Sequence, residues 1–287
     1  MADNELGRFL RARREAVRPA DVGLPTGARR RTPGLRRAEV ATLAGVSVEY
    51  VTRLEQGHDR HPSAQVLSAL ATALRLPVAE RVHLHNLTKG AGGFTCRGPD
   101  RRAGRIVRPT VRALLDRLEP TPAVLVNRLA EVVAHTEGYA RLTAGTGVLD
   151  ADPPDTVPNL ARYLFTDPRA RQLFADWDRA ADEQVAALKH GPFRADPEIA
   201  ALADELTVTA GPVFAGRAET VAGPPVGTGV LPLAHPAVGP LRLAYETLDL
   251  PAADDQRLIA YLPADPDSAA ALDRLLHRPL HVVAAVG

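Results

Sequence analysis

The sequence predicts two folded parts of different class: a mainly α, five-helix N-terminal bundle containing a helix-turn-helix, and a C-terminal α+β domain built on an antiparallel sheet. Three observations carry this expectation. Residues 36–57, RRAEVATLAGVSVEYVTRLEQG, read as two short helices joined by a tight turn. Formal charge divides along the chain: residues 1–108 hold 20 Lys+Arg against 10 Asp+Glu, a net +10, and residues 109–287 hold 15 against 24, a net −9. In the last third, helical spacing of apolar residues gives way to alternation, as in GPLRLAYETL at 239–248.

Each element of the first part has a local cause. Leu6, Phe9 and Leu10 fall at the i, i+3, i+4 spacing of a helix face, and that helix ends before Pro19. Residues 18–35, rich in Pro, Gly and Arg, read as a loop that is long for a small bundle. In the next pair, Val40, Ala41 and Ala44 form one apolar face, and Val51 and Leu54 another. Gly45 stands where a turn needs positive φ, Val46 can plug the angle between the helices, and Ser47 is placed to cap the second. Helix, turn and capped helix form a helix-turn-helix, whose second helix, here 48–55, fits a DNA major groove. Ser63 then caps a helix to about Leu74, and Pro77 opens a fifth that reaches about Thr88. Residues 89–108, Gly- and Arg-rich and without apolar periodicity, are expected to link domains at 1–88 and 109–287.

Pro109 opens a helix with Val111, Leu114, Leu115 and Leu118 inward. Valine-rich runs at 122–127 and 130–135 are too short for stable helices and suit strands. Helical stretches follow at about 137–143, 159–165, 168–190 and 197–208, then strands at 229–235, 239–248 and 256–262. In the middle strand Leu241, Leu243 and Tyr245 alternate with Arg242, Ala244 and Glu246, the mark of a sheet with one solvated face. A helix from Pro266 to about Leu276, capped by Asp265, precedes LHVVAAVG at 280–287, which suits a last strand or a hydrophobic tail. Two strands, several helices and three antiparallel strands is the order of a PAS-like α+β domain, in which a sheet and its helices enclose a small cavity.

Composition narrows the function. A basic half that carries a helix-turn-helix is the electrostatic footprint of a phosphate binder, whereas the acidic remainder suits sensing or assembly. No run of eighteen apolar residues predicts a transmembrane helix, and MADNELGRFLRARREA lacks the apolar stretch of a secretory signal, so a cytoplasmic, nucleoid-associated protein is expected. Cys96 is the only cysteine, which excludes an intramolecular disulfide and a thiolate zinc site. The acidic half has no nucleophile elbow, phosphate-binding glycine loop or His-x-x-x-His pair, so no enzyme, catalytic residue, metal site or cofactor is expected.

RAEVATLAGVSVEYVTRLEQG resembles the phage repressor and Cro-like (XRE) helix-turn-helix class. The likeness extends over most of the chain. DVGLPTGARRRTPGLRRAEVATLAGVSVEYVTRLEQG, PSAQVLSALATALRL, LFTDPRARQLFADW, HPAVGPLRLAYETLDLP and QRLIAYLP, in that order, resemble MmyB-like transcriptional regulators. These join an XRE domain to a PAS-like, MLTR-type ligand-binding domain. The resemblance implies a dimeric regulator with a C-terminal pocket that in some relatives accepts fatty-acid-like ligands. The chain departs from the family pattern at Ala134, His135 and Thr136, where an aromatic-Asn pair is usual, and around 214–221, where a tryptophan and a basic-His cluster are absent.

The first residues of the recognition helix face base edges. By resemblance to the phage repressors, Val48 and Glu49 hold the reading positions. Glu49 could accept from a cytosine amino group, and Val48 could touch a thymine methyl. Thr52 and Arg53, one turn on, are placed for a base edge or a phosphate. Arg37 resembles the position that clasps backbone phosphate, with Tyr50 and Arg60 flanking the same strand, and Arg36 and Ser47 join this DNA-binding set. Arg29, Arg30 and Arg31 could touch phosphate or enter a minor groove. The alternative for each is a solvated surface. In the acidic half His135, Tyr245 and Tyr261 are the candidates for ligand contact, against simple core packing. Trp177 is expected to pack between helices.

The expected function is sequence-specific, ligand-responsive regulation of transcription on double-stranded operator DNA. A homodimer is expected because one recognition helix makes too few base contacts for genomic specificity. The effector implied by the resemblance is fatty-acid-like or another small hydrophobic molecule. Beside this stand a regulator or scaffold whose C-terminal domain only dimerises or binds a protein, and an enzyme merely tethered by the bundle.

Overall fold

The computed structural model describes residues 4–25, 32–59, 62–91, 103–151, 156–190, 193, 196–250 and 255–276. Its contacts divide into two units: Met1–Cys96 with Ala186–Ala200 and Thr220–Pro225, and Arg97–Val185 with Ala201–Glu219 and Val226–Gly287.

The first unit carries α1 (Glu5–Ala16), α2 (Arg37–Ala44), α3 (Val48–Glu55), α4 (Ala64–Ala73) and α5 (Val78–Ala91). Phe9 and Leu10 of α1, Val40 and Ala41 of α2, Val51 and Leu54 of α3, Leu67 and Leu70 of α4 and Leu84 of α5 share one core. The apolar spacing read from the sequence is therefore the spacing that packs. Gly45 ends α2 in the left-handed region, at φ 65°, a conformation a β-carbon would strain. Ser47 Oγ accepts from the Tyr50 N–H at 3.0 Å and Ser63 Oγ from that of Val66 at 3.3 Å, capping α3 and α4 as expected. The expected loop after α1 contains a short 3-10 turn, Pro19–Val22. α5 continues to Ala91, three residues past Thr88. Within the same unit Lys189 Nζ lies 2.9 Å from Glu5 Oε2, and His83 stacks on His190 at 5.8 Å between centroids.

The remaining elements, in order, are α6 (Pro109–Leu118), β1 (Ala123–Val126), β2 (Val132–His135), α7 (Glu137–Thr143), α8 (Leu160–Thr166), α9 (Pro168–Leu173), α10 (Trp177–Leu188), α11 (Pro197–Thr209), α12 (Pro212–Thr220), β3 (Thr228–His235), β4 (Gly239–Leu250), β5 (Gln256–Pro263) and α13 (Pro266–Leu276). The five strands form one sheet, ordered β2-β1-β5-β4-β3, and every pairing is antiparallel. Side chains alternate across it. Val124, Val126, Leu233, Leu241 and Leu243 pack on one face with Tyr139, Tyr163, Leu173, Trp177 and Leu272 of the covering helices. Ala123, Leu125, Ala134 and Leu258 occupy the other face beneath Val111 and Leu115 of α6.

Three sequence expectations are corrected. The helix expected over 168–190 breaks at 174–176, where Phe174 bridges Leu233 and the Ala175 N–H donates to the Pro232 carbonyl at 3.2 Å. Backbone pairing with the edge of β3 there outweighs helix propensity. α12 falls in a stretch where no helix was expected. Leu114 is exposed, because Val111 and Leu115 form the i, i+4 stripe that α6 turns to the sheet.

Residues 103–108, expected within the linker, are held to the second unit. Arg105 grips Glu131 through two bonds of 2.8 and 2.7 Å, and Gln256 Nε2 donates to the Gly104 and Ile106 carbonyls. Burial alone would raise the Glu131 carboxyl, but bonds from Arg105 and Asn127 hold it below its ordinary value. Residues 280–287 lie outside the described residues. Among the described residues no helix is long and apolar enough to cross a membrane.

Candidate functional site

The helix-turn-helix is braced from beneath. Glu55, the last residue of α3, has a buried carboxylate that two arginines clamp. Arg14 of α1 donates through Nε at 2.6 Å and through Nη2 at 3.2 Å, and Arg37 of α2 through Nε at 2.9 Å. Arg14 also donates to the Leu35 carbonyl at 2.9 Å, tying the chain that enters α2. Burial works to lower the Arg14 pKa, yet the bonds and charge of Glu55 raise it above the usual arginine value. A carboxylate at a helix C-terminus opposes the helix dipole, and the paired guanidinium groups offset that penalty. One acid thus fixes the ends of three helices.

The opposite side of α3 is open. Ser47, Glu49 and Arg53 are exposed, and Val48 keeps 40% of its surface. Thr52 is half-buried and its hydroxyl donates to the Val48 carbonyl at 2.8 Å. Arg53 also lies 3.2 Å from Asp59. Val51 and Leu54 are core, as their spacing predicts. Tyr50 is half-buried against that core; burial first, then the Asp59 charge, raises its phenol pKa.

At the N-terminus of α2, Arg36 is exposed and its backbone N–H bonds the Glu39 carboxylate at 2.6 Å. Arg37 is not a free surface cation. It is shared with Glu55, although 42% of its side chain faces solvent. Its five N–H groups leave donors beyond those Glu55 takes. Arg29, Arg30, Arg31 and Arg60 lie outside the described residues.

In the second unit the candidates meet around one sheet face. Tyr245 and Tyr261 are cross-strand partners on β4 and β5, while His135 and Val124 pair on β2 and β1. Tyr139, which the sequence reading passed over, joins them from the first turn of α7. Its ring centroid lies 6.0 Å from that of Tyr261 and 6.2 Å from that of His135. Burial keeps Tyr139 and Tyr261 neutral by raising both phenols well above their ordinary pKa. Among the described residues neither hydroxyl makes a hydrogen bond, although Tyr139 is buried and Tyr261 half-buried. Tyr245 differs: its hydroxyl donates to the Val226 carbonyl at 3.3 Å. The His135 Nδ1 sits 3.0 Å from the Thr136 carbonyl. Trp177 packs as expected, with Phe165 at its edge and its indole N–H donating to the Leu164 carbonyl at 3.0 Å.

Two features escaped the sequence reading. Arg14 looked like one more cation in an arginine-rich helix, and only the fold brings Glu55 to it across 41 residues. Tyr139 follows His135 by four residues, a spacing that carries no signal while one residue is on a strand and the other on a helix. Among the described residues no group of three or more His, Cys, Asp or Glu could hold a metal ion.

Two family models match the chain. Residues 107–275, more than half of it, match the MmyB-like transcription regulator ligand binding domain, and residues 5–84 match a helix-turn-helix domain. No curated protein matches it.

Proposed function

This chain belongs to the MmyB-like transcription regulators and is a DNA-binding regulator of transcription, and we propose that it works as a ligand-responsive homodimer that reads its operator with the front of α3. The observation that carries this reading is the contrast between the two sides of α3. Its rear is locked by Glu55, Arg14 and the core, while Ser47, Val48, Glu49 and Arg53 project from the front. A rigid helix with an open N-terminal face suits base readout, because side chains must meet donors and acceptors held in fixed positions.

In this reading Glu49 accepts from a cytosine amino group, Val48 meets a thymine methyl, and Thr52 and Arg53 lie along the next bases or phosphates. Arg36 and Arg37 bind backbone phosphate, joined by Tyr50, Arg60 and Arg29, Arg30 and Arg31. The net +10 of residues 1–108 supplies sequence-independent attraction. Two copies are needed because a single helix of eight residues reads only a few base pairs. The protein acts in the cytoplasm, on chromosomal DNA, as an XRE-type regulator.

The effector in this reading is a small, largely apolar molecule that carries a hydrogen-bond acceptor. The support is chemical: two neutral phenols, the buried Tyr139 and the half-buried Tyr261, have unused donors beside the apolar side chains of this sheet face. No cofactor takes part.

A gel-shift with the protein's own promoter region tests the DNA half of the proposal. Binding should fall steeply with salt, since each phosphate contact releases counterions. Glu49→Ala and Arg53→Ala should each lose discrimination between operator and unrelated DNA. Unchanged discrimination in both would remove α3 as the reader. Native mass spectrometry of freshly purified protein tests the effector half: a co-purifying small molecule supports it, and an empty domain argues for a dimerisation scaffold.

A further inference from the structure

We propose that the open face of the β3–β4–β5 sheet is the surface on which two copies of this chain meet, related by a two-fold axis through Ala244. This inference deepens the homodimer reading above and rests on it.

The sheet has two faces, and they are treated differently. α6 covers the outer face over β1, β2, part of β5 and the Leu250 end of β4, whereas Arg242, Glu246, Leu248 and Leu262, farther along this face, are exposed among the described residues. The register fixes what is displayed there. Val230, Ala244 and Leu262 lie side by side across the three strands, and Leu248 stands four residues along β4 on the same face. Leu262 keeps 55% and Leu248 49% of its surface exposed, high values for leucines on strands whose opposite side chains, Leu241 and Leu243, are fully buried. A contiguous apolar row of this kind on a sheet signals a partner surface rather than a solvated one.

Charge placement selects a second copy as that partner. Arg242 and Glu246 are both exposed and sit two residues before and two residues after Ala244 on the outward side of β4. In a two-fold packing of aligned sheets, β4 of one copy runs antiparallel over β4 of the other. With Ala244 at the axis, Arg242 of each copy then faces Glu246 of its mate. The arrangement is self-complementary, as an isologous interface must be, and it occurs at a small residue that lets the strands approach. Glu246 makes no ion pair among the described residues, and Arg242 is held only by a 3.3 Å contact with Asp265 while 61% of its side chain stays exposed. Surface ion pairs add little energy, so the leucines drive association and the charges set its register.

Sedimentation of the full chain over a range of concentrations tests the proposal. The natural protein should be a dimer. Arg242→Glu and Glu246→Arg should each weaken dimerisation at least about tenfold, since either change sets two like-charge pairs across the axis. The combined Arg242→Glu/Glu246→Arg chain should recover to within about threefold of the natural protein. Leu262→Glu should give monomers that keep the natural protein's circular dichroism and a single cooperative unfolding transition, which separates loss of association from loss of folding. A dimer indifferent to all four variants overturns this surface while leaving the homodimer reading intact. A chain that is monomeric at every concentration, both free and on operator DNA, overturns both. Failure of the double exchange to restore association rejects the axis at Ala244.

Discussion

Arg14 and Glu55 meet at 2.6 Å in the interior of the helix-turn-helix bundle, with only 7% and 2% of their side chains exposed. The pair joins the first helix to the end of the third, and Arg37 closes on the same carboxylate from the second. The helix proposed to face DNA is therefore fixed by electrostatics beneath it as well as by packing.

Removing the acid strands a buried guanidinium. Glu55→Gln should destabilise the bundle by about 3–5 kcal/mol, the usual penalty for breaking one side of a buried pair. Arg37→Ala, whose side chain is partly solvated, should cost only about 1 kcal/mol. Chemical unfolding followed by circular dichroism checks the order. Equal losses would mean that Arg14 is not the principal partner.

The Ser47 cap separates folding from binding. Ser47→Ala removes the acceptor for the Tyr50 N–H and should cost about 1 kcal/mol of stability. Ser47→Asp restores an acceptor and should recover the thermal midpoint, yet a new negative charge at the proposed DNA-facing end should weaken DNA binding. Melting curves and gel-shifts on the same samples read the two effects apart.

His83 gives the first unit a defined acid sensitivity. Burial, followed by the charges of His190, Lys189 and Arg13, lowers its pKa from 6.5 to about 4. Unfolded chain therefore binds the proton first as pH falls. The contribution is complete above about pH 6.5, drains away between 6.5 and 4, and changes no further below that. The full loss is about 3 kcal/mol. His83→Leu should flatten the stability profile across that window, and urea midpoints measured at several pH values would reveal it. A variant profile as steep as the natural one would exclude His83 as the titrating group.

The Tyr139 and Tyr261 hydroxyls should matter to the effector and not to the fold. Tyr139→Phe and Tyr261→Phe remove groups that bond nothing among the described residues, so stability should stay within about 0.5 kcal/mol. Retention of a co-purified molecule should fall about tenfold for each hydrogen bond lost. A large drop in thermal midpoint would instead assign the hydroxyls to the core.

Much of this architecture was legible beforehand, for reasons that differ by element. The helix-turn-helix could be read because its signals are local: Gly45 for the turn, Ser47 for the cap, Val51 and Leu54 for the buried face. The same holds for α13, whose Asp265 and Pro266 mark its start. Strand β4 announced itself through alternation. The break between α9 and α10 did not, because its cause is the distant edge of β3, and no local pattern encodes a bond to the Pro232 carbonyl. α12 hides among glycine, proline and alanine, whose usual reading is a loop. At the site, exposure of Val48, Glu49 and Arg53 follows from helical spacing alone. The Arg37–Glu55 bond and the Tyr139–Tyr261 stack depend on tertiary approach and were invisible.

Selection of binding sequences from a randomised DNA pool asks directly whether the front of α3 meets bases. The natural protein should enrich a two-fold symmetric motif, and Glu49→Ala and Arg53→Ala should each lose preference at one or two positions in both half-sites, leaving the rest of the motif in place. Recovery of the same motif, at the same strength, from both variants would contradict the account.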